Sequence, residues 1–350
     1  MQIDMHFYGV YALARAAGIK PETAQTIAHA SQFVDDAIHD EPILLDQQSA
    51  AIVPIMSSHT PLDLVDNSHS EDQWRVWISF HFLPGNDKDA NSLDGKLVCE
   101  KNSALAQAVL TNALAYKKEP FGPHFAGVAA HVFADTFSHF GFVGITSDWN
   151  KIKEESIELK INVSGIQDYV WEKYRNFQDK LAASAAGKVL PLGHAGAATF
   201  PDRPYLNWQY EYAMGSRPPV KRQNVQDFLE AAEQLHAFFT NFVKDNPLHA
   251  SPISSPWATI SGKTQGVLQI EAQLDDRVNN WKKLIAANEL FTSDTLDQTI
   301  SYSKDEWGPA NFAGTGRNPS EIDFSLWVKA ARIHQYYVLN DLLPNSGILI

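Results

Sequence analysis

Residues 124–140, HFAGVAAHVFADTFSHF, limit what this chain can fold into more than any other stretch. The run lacks Lys, Arg and Glu and is built from small and apolar residues, so it reads as a helix that is largely buried. Only three polar residues in it recur at a fixed spacing: His131, Asp135 and His139. At ~100° per residue they fall within roughly 80° of arc on one helical face. The outer two are about 12 Å apart along the axis at ~1.5 Å rise per residue. One ion cannot easily reach both, because His–metal bonds are only ~2.0–2.1 Å long. The central carboxylate can face two ions, one towards each histidine, which points to a di-metal site.

The rest of the chain supplies further helices. Apolar residues at helical spacing over 7–17 stop at Gly18, and Pro21 opens a second helix to about residue 38. Residues 41–72 read as irregular. The run WRVWISFHF at 74–82 is β-branched and aromatic, and a short strand is expected there. Helices are expected at 103–116, 151–186 (broken near Ser164-Gly165), 224–244 and 268–291. A last helix follows the capping-box pattern Ser320-Glu321-Ile322-Asp323 and ends at Pro344. Residues 187–219 are rich in Gly, Pro and aromatics, and loops this long inside a compact domain are usually functional. The expected class is all-α with at most a few short strands, a compact multi-helix domain spanning 1–350. Within it, 1–215 form a helical metal-binding core and 216–350 a helical extension packed on that core.

The formal charge of −13 argues against nucleic acid as the main partner, since phosphate backbones are bound through clustered Lys and Arg. Cys99 is the single cysteine, so no intrachain disulfide forms. The first residues carry Asp4 and His6 where a signal peptide would be apolar, and no window is long and apolar enough to span a bilayer. Cytoplasmic residence is the default expectation, with signal-independent export left open. The oligomeric state is not legible.

Other residues join the candidate centre. An extended Asp4-Met5-His6 puts both side chains on one side. Asp35 and Asp36 close the second helix, where paired carboxylates oppose the helix dipole and a bound cation would remove the conflict. His81 sits in the apolar WISFHFLPG, and His194 in LGHAG ahead of Asp202. His59 alone reads as structural, and His29, His39, His69, His236, His249 and His334 read as helix-face or loop residues. The expected metal shell is Asp4, His6, Asp35, His81, His131, Asp135, His139 and His194, with Asp36 or Asp202 as base or orienting group.

At MQIDMHFYGVYALARAAG, QFVDDAIHD, WISFHFLPG, HVFADTFSHFGFVG and LGHAGAATFPDRPYLNWQYEY the chain resembles a bacterial family known as a domain of unknown function, over about the first two thirds of its length. More distantly it is similar to the zinc-dependent phospholipase C and P1 nuclease superfamily. Those proteins are all-α and hold three zinc ions on His and Asp ligands, with a signature helix that His131, Asp135 and His139 approximate. The spacing from Asp135 to His139 is shorter than theirs, and the chain starts with Met where they start with Trp.

These residues favour a metal-dependent hydrolase of a small-molecule or lipid phosphate ester. Two or three divalent ions would serve it, zinc first and manganese or iron as alternatives. An HD-type phosphohydrolase running through His29, His39-Asp40 and Asp135 is a second expectation. The third is a non-enzymatic helical binding protein whose metal is structural. No nucleophilic Ser or Cys constellation, phosphate loop or dinucleotide fingerprint is present.

Overall fold

A computed structural model of the chain describes residues 1–45, 50–59, 70–86, 90–183, 191–215, 217–308 and 318–348. A π-type turn at Asp4–Gly9 runs directly into α1 (Val10–Ala16), which ends at Gly18 with φ +90°. Then come α2 (Pro21–Asp36), the π-wound α3 (Gln73–His81), α4 (Ala104–Ala115) and α5 (Gly122–His139). The second half holds α6 (Ser164–Ala183), α7 (Asn224–Val243), α8 (Trp257–Leu268), α9 (Leu274–Ala286) and α10 (Asp323–Tyr336).

The apolar run read from the sequence is α5, and every one of its residues is buried. It is surrounded by α2, α3, α4, α7 and α10, which is the solution open to a helix that is apolar on all sides. The tightest approach is to α2. A Cβ on Gly127 would run into the Ile27 carbonyl and the Ala30 methyl, so only glycine lets the two backbones meet there. The main core draws Phe7, Leu13, Phe125, Phe133, Phe239, Trp281 and Trp327 from both ends of the chain. Among the described residues no helix is long and apolar enough to cross a membrane.

Two small antiparallel sheets accompany the helices. One pairs Ile43–Leu45 with Ala50–Ile52; the other places Asn207–Tyr210 between Glu158–Lys160 and Val220–Gln223, with Trp208 opposite both Leu159 and Arg222. Phe142, Tyr174, Phe200, Trp208 and Tyr210 build a second, aromatic core on the larger sheet. The side chain of Asn224, the first residue of α7, donates to the carbonyls of Phe200 and Arg203 and accepts from Trp208 Nε1.

Four expectations are corrected. The helix expected over 268–291 is not continuous: α8 closes at Leu268 and α9 covers Leu274–Ala286. Residues 74–82 are helical, not a strand: β-branched and aromatic residues mark apolar burial as readily as strand, and a nine-residue run cannot separate the two. Residues 151–186 are not one helical region, because a short 3₁₀ turn and the edge strand Glu158–Lys160 precede α6. The 320–323 capping box does not form; Ser320 lies in a 3₁₀ turn, and α10 begins at Asp323 without a side-chain cap.

Candidate metal centre

The spacing along α5 places His131 and His139 one turn either side of Asp135, with His131 Nε2 3.2 Å and His139 Nδ1 3.7 Å from Asp135 Oδ2. Packing brings the other groups in. His6, from the first turn of the chain, approaches Asp135 Oδ1 through Nε2 at 3.0 Å. His81, the last residue of α3, places Nδ1 3.1 Å from Asp135 Oδ2. Asp35 from α2 lies 3.8 Å from His131 Nε2 and 3.9 Å from His81 Nδ1. The Met1 amino group reaches Asp135 Oδ1 at 2.5 Å and Asp202 Oδ1 at 3.3 Å.

A second carboxylate extends the centre. Asp202 Oδ1 is 3.5 Å from His139 Nε2, and its Oδ2 is 3.7 Å from His194 Nε2. The ligand atoms therefore form three sets, each within 4.8 Å: His6, Asp35 and His131; His81, His131 and Asp135; His139, His194 and Asp202.

Three of these imidazoles are oriented by the main chain. His81 Nε2 donates to the Ser57 carbonyl at 2.8 Å, His139 Nδ1 to that of His81 at 2.7 Å, and His194 Nδ1 to that of Ala198 at 2.7 Å. Each bond places a proton on the nitrogen that faces the carbonyl, so the other nitrogen is the one left to accept a proton or a metal. In all three that other nitrogen lies 3.1, 3.5 or 3.7 Å from a carboxylate oxygen, a pairing that calls for a proton or a cation between them. Ala198 takes a left-handed backbone (φ +45°) in the turn that offers its carbonyl to His194. Gly193, at φ +51°, sits where any Cβ would meet the Phe82 ring.

The electrostatics follow from burial. Burial, outweighing the pull of Asp202, lowers His194 to about 4. Burial also drives the His6 proton off, helped by His131 and the amino group. Burial would raise the Asp202 carboxyl, but the amino group, His194 and His139 together hold it well below the usual range. Asp35 moves up, because burial exceeds the pull of His131 and His81. The amino group rises to about 11, its desolvation outweighed by Asp135, Asp202 and Asp35.

His81, Asp135, His139, His194, Asp202, Asp35 and Asp36 all line one cavity of about 800 Å³. Asp36 reaches it differently from Asp35: its Oδ2 accepts from Tyr302 Oη at 2.7 Å. Asp202, expected as base or orienting group, stands instead within a set of candidate ligands, where it also accepts from Ser138 Oγ at 2.5 Å. Asp4 stands apart, its Oδ2 held by Arg277 at 2.7 Å. The first residues are helical rather than extended, and positions two apart on a helix do not share a face. Sequence reading passed over Ser138, Tyr302 and Arg277. Only Ser138, beside His139 on the marked helix, carried a signal.

The remaining histidines serve elsewhere. His29 stacks on Trp307 at 4.0 Å, and His236 and His334 donate to the Ser255 and Ser79 carbonyls. His249 bonds Thr23, and His59 lines the cavity rim near Asp72. His39 and Asp40 are exposed beyond the end of α2, and His69 lies outside the described residues.

The fold and site thus define a mainly helical protein with a buried His/Asp centre opening on a cavity. The chain belongs to the family of unknown function DUF6765, whose profile matches residues 1–342, well past the two thirds that carry the recognisable motifs. No curated protein and no solved structure matches it, and these comparisons lend no support to a likeness with the phospholipase C and P1 nuclease superfamily.

Proposed function

We propose that the protein is a metal-dependent hydrolase of phosphate esters, with two or three divalent ions, zinc foremost, held by the three ligand sets. The observation that carries this reading is the carbonyl-pinned histidine. Metal-bound imidazoles characteristically donate their outer N–H to a carbonyl or carboxylate, and His81, His139 and His194 all do so with the other nitrogen within 3.7 Å of Asp135 or Asp202.

Openness favours catalysis over a purely structural metal. Structural sites are closed by protein ligands, whereas catalytic ones keep a position for water or substrate. Here the ligand sets border a cavity large enough for a small organic molecule. Bound divalent ions would supply an acidified water and stabilise the departing oxygen. Asp36, which lines the cavity and accepts from Tyr302, would take a proton from that water. Water oxygen would bond to phosphorus as the ester P–O bond breaks, and the leaving alcohol would carry away a proton.

Charge explains why such a substrate would depend on metal. Among the described residues, the charged groups lining the cavity include Asp35, Asp36, Asp135 and Asp202 against Lys151 and the Met1 amino group. An anionic ester entering without bound cations would be repelled.

The test is elemental analysis of the purified protein, followed by assay of bis(p-nitrophenyl) phosphate and p-nitrophenyl phosphate with and without EDTA. Two or more equivalents of metal, reduced in His139→Ala and Asp135→Ala, with chelator-sensitive hydrolysis, are expected. A protein that takes up no divalent metal on reconstitution refutes the reading.

A further inference from the structure

The cavity has a second character beside the His/Asp centre. Trp77, Ile152, Phe177, Leu181 and Leu192 line it, and all five are only half-buried. They come from separate places: Trp77 from α3, Phe177 and Leu181 from α6, and Ile152 and Leu192 from the segments flanking the aromatic core. Apolar side chains left partly uncovered in a concave wall lose the stabilisation that full burial would give, and a ligand is one way to cover them.

The wall is continuous with the centre. Phe82, which also lines the cavity, stacks on His139 with ring centroids 4.5 Å apart, and Trp77 lies 5.2 Å from the His81 ring. The main chain keeps the wall in place. Leu192 pairs with Thr146 in an isolated bridge, the Pro191 carbonyl accepts from Asn150 Nδ2 at 3.0 Å, and Gln178 Nε2 ties α6 to the Ala195 carbonyl at 3.1 Å. The last contact joins the helix carrying Phe177 and Leu181 to the turn carrying His194.

We infer that the substrate is amphiphilic: a phosphate ester whose anionic head meets the His/Asp centre and whose leaving alcohol carries an extended apolar arm lying along Trp77, Phe177, Leu181 and Leu192. This rests on the hydrolase reading for its head group and on the cavity wall for its arm. Lys151, the one lysine among the described residues of the cavity lining, has its ammonium paired with Asp148 at 2.5 Å.

Binding of n-alkyl phosphates from methyl to decyl, each below its micelle concentration, tests the inference by calorimetry on zinc-loaded protein whose metal content has first been measured. Affinity should rise by about two- to fourfold per methylene and level off once the wall is covered. Leu181→Gln and Phe177→Gln, at half-buried positions, should flatten that rise while leaving methyl phosphate binding and zinc content unchanged. Affinity independent of chain length in the zinc-loaded protein overturns the apolar arm and leaves the hydrolase reading standing. Absence of zinc uptake overturns the hydrolase reading, whereas a chain-length dependence that persists without metal upholds the arm. An equal rise in wild type and both variants would show that the chain lies elsewhere and overturns the assignment.

Discussion

The imidazole of His139 is oriented by the main chain of His81: Nδ1 donates to the His81 carbonyl at 2.7 Å, although the two residues stand on different helices. The same residue pair therefore divides the centre. His81 turns its other nitrogen to Asp135 at 3.1 Å, and His139 turns its own to Asp202 at 3.5 Å.

This division predicts unequal metal losses. Asp202→Ala should release the ion shared with His139 and His194 and retain the remainder, while Asp135→Ala should empty more of the centre. Elemental analysis of the two variants after dialysis decides it, and identical losses would contradict the three-set arrangement.

The crossing at Gly127 predicts a coupled defect. Gly127→Ala should push α2 from α5, destabilising the fold by about 1–3 kcal/mol as overpacked core positions do. Since α2 carries Asp35 and α5 carries His131, metal retention should fall as well. Chemical denaturation and metal analysis measure both, and a variant as stable as wild type would show that the helices have room to part.

Arg222 is almost wholly buried and donates to the carbonyls of Phe137, Ser138 and Phe140, the end of α5 that carries His139. Arg222→Met keeps much of the packing and removes the donors. A loss of about 1.5–3 kcal/mol is expected, together with weaker metal binding. An unchanged melting temperature would assign those carbonyls another partner.

His29 predicts acid sensitivity away from the centre. Burial lowers it to about 3, from an ordinary value of 6.5. The folded state thus holds it neutral where the unfolded chain would protonate it. Its contribution is intact above pH 6.5 and declines as pH falls towards 3, by up to ~1.4 kcal/mol per pH unit. Urea midpoints across this range should fall less steeply for His29→Phe, and parallel curves would remove His29 as a cause.

What the sequence disclosed depended on whether the signal was local. Helix α5 and its three polar residues were legible because periodicity lies within one run, and Gly18 and Pro21 marked helix ends by their own backbone chemistry. Residues 74–82 misled because the same β-branched and aromatic side chains suit a buried helix once π-type turns, such as Phe82 N to Trp77 O at 2.7 Å, accommodate them. Asp4 was assigned to the metal because nothing near it in sequence reveals Arg277, which arrives from the far end of the chain. The contacts of Asp202 with His139, His194 and Ser138 were equally hidden, since a loop carries no period from which a facing direction could be read.

The long reach of these contacts bears on the order in which the protein can be made. Arg15 of α1 grips Asp297 through Nε at 2.7 Å and Nη2 at 2.9 Å, and Tyr11 donates to the same carboxylate. A nascent chain emerging from the ribosome offers α1 long before residue 297 exists, and contacts of such separation form slowly. The first helix can pack on α2 as soon as that helix is made, but its buried Arg15 lacks this partner until residue 297 has been added. The carboxylate that closes this clasp is made 282 residues after Arg15.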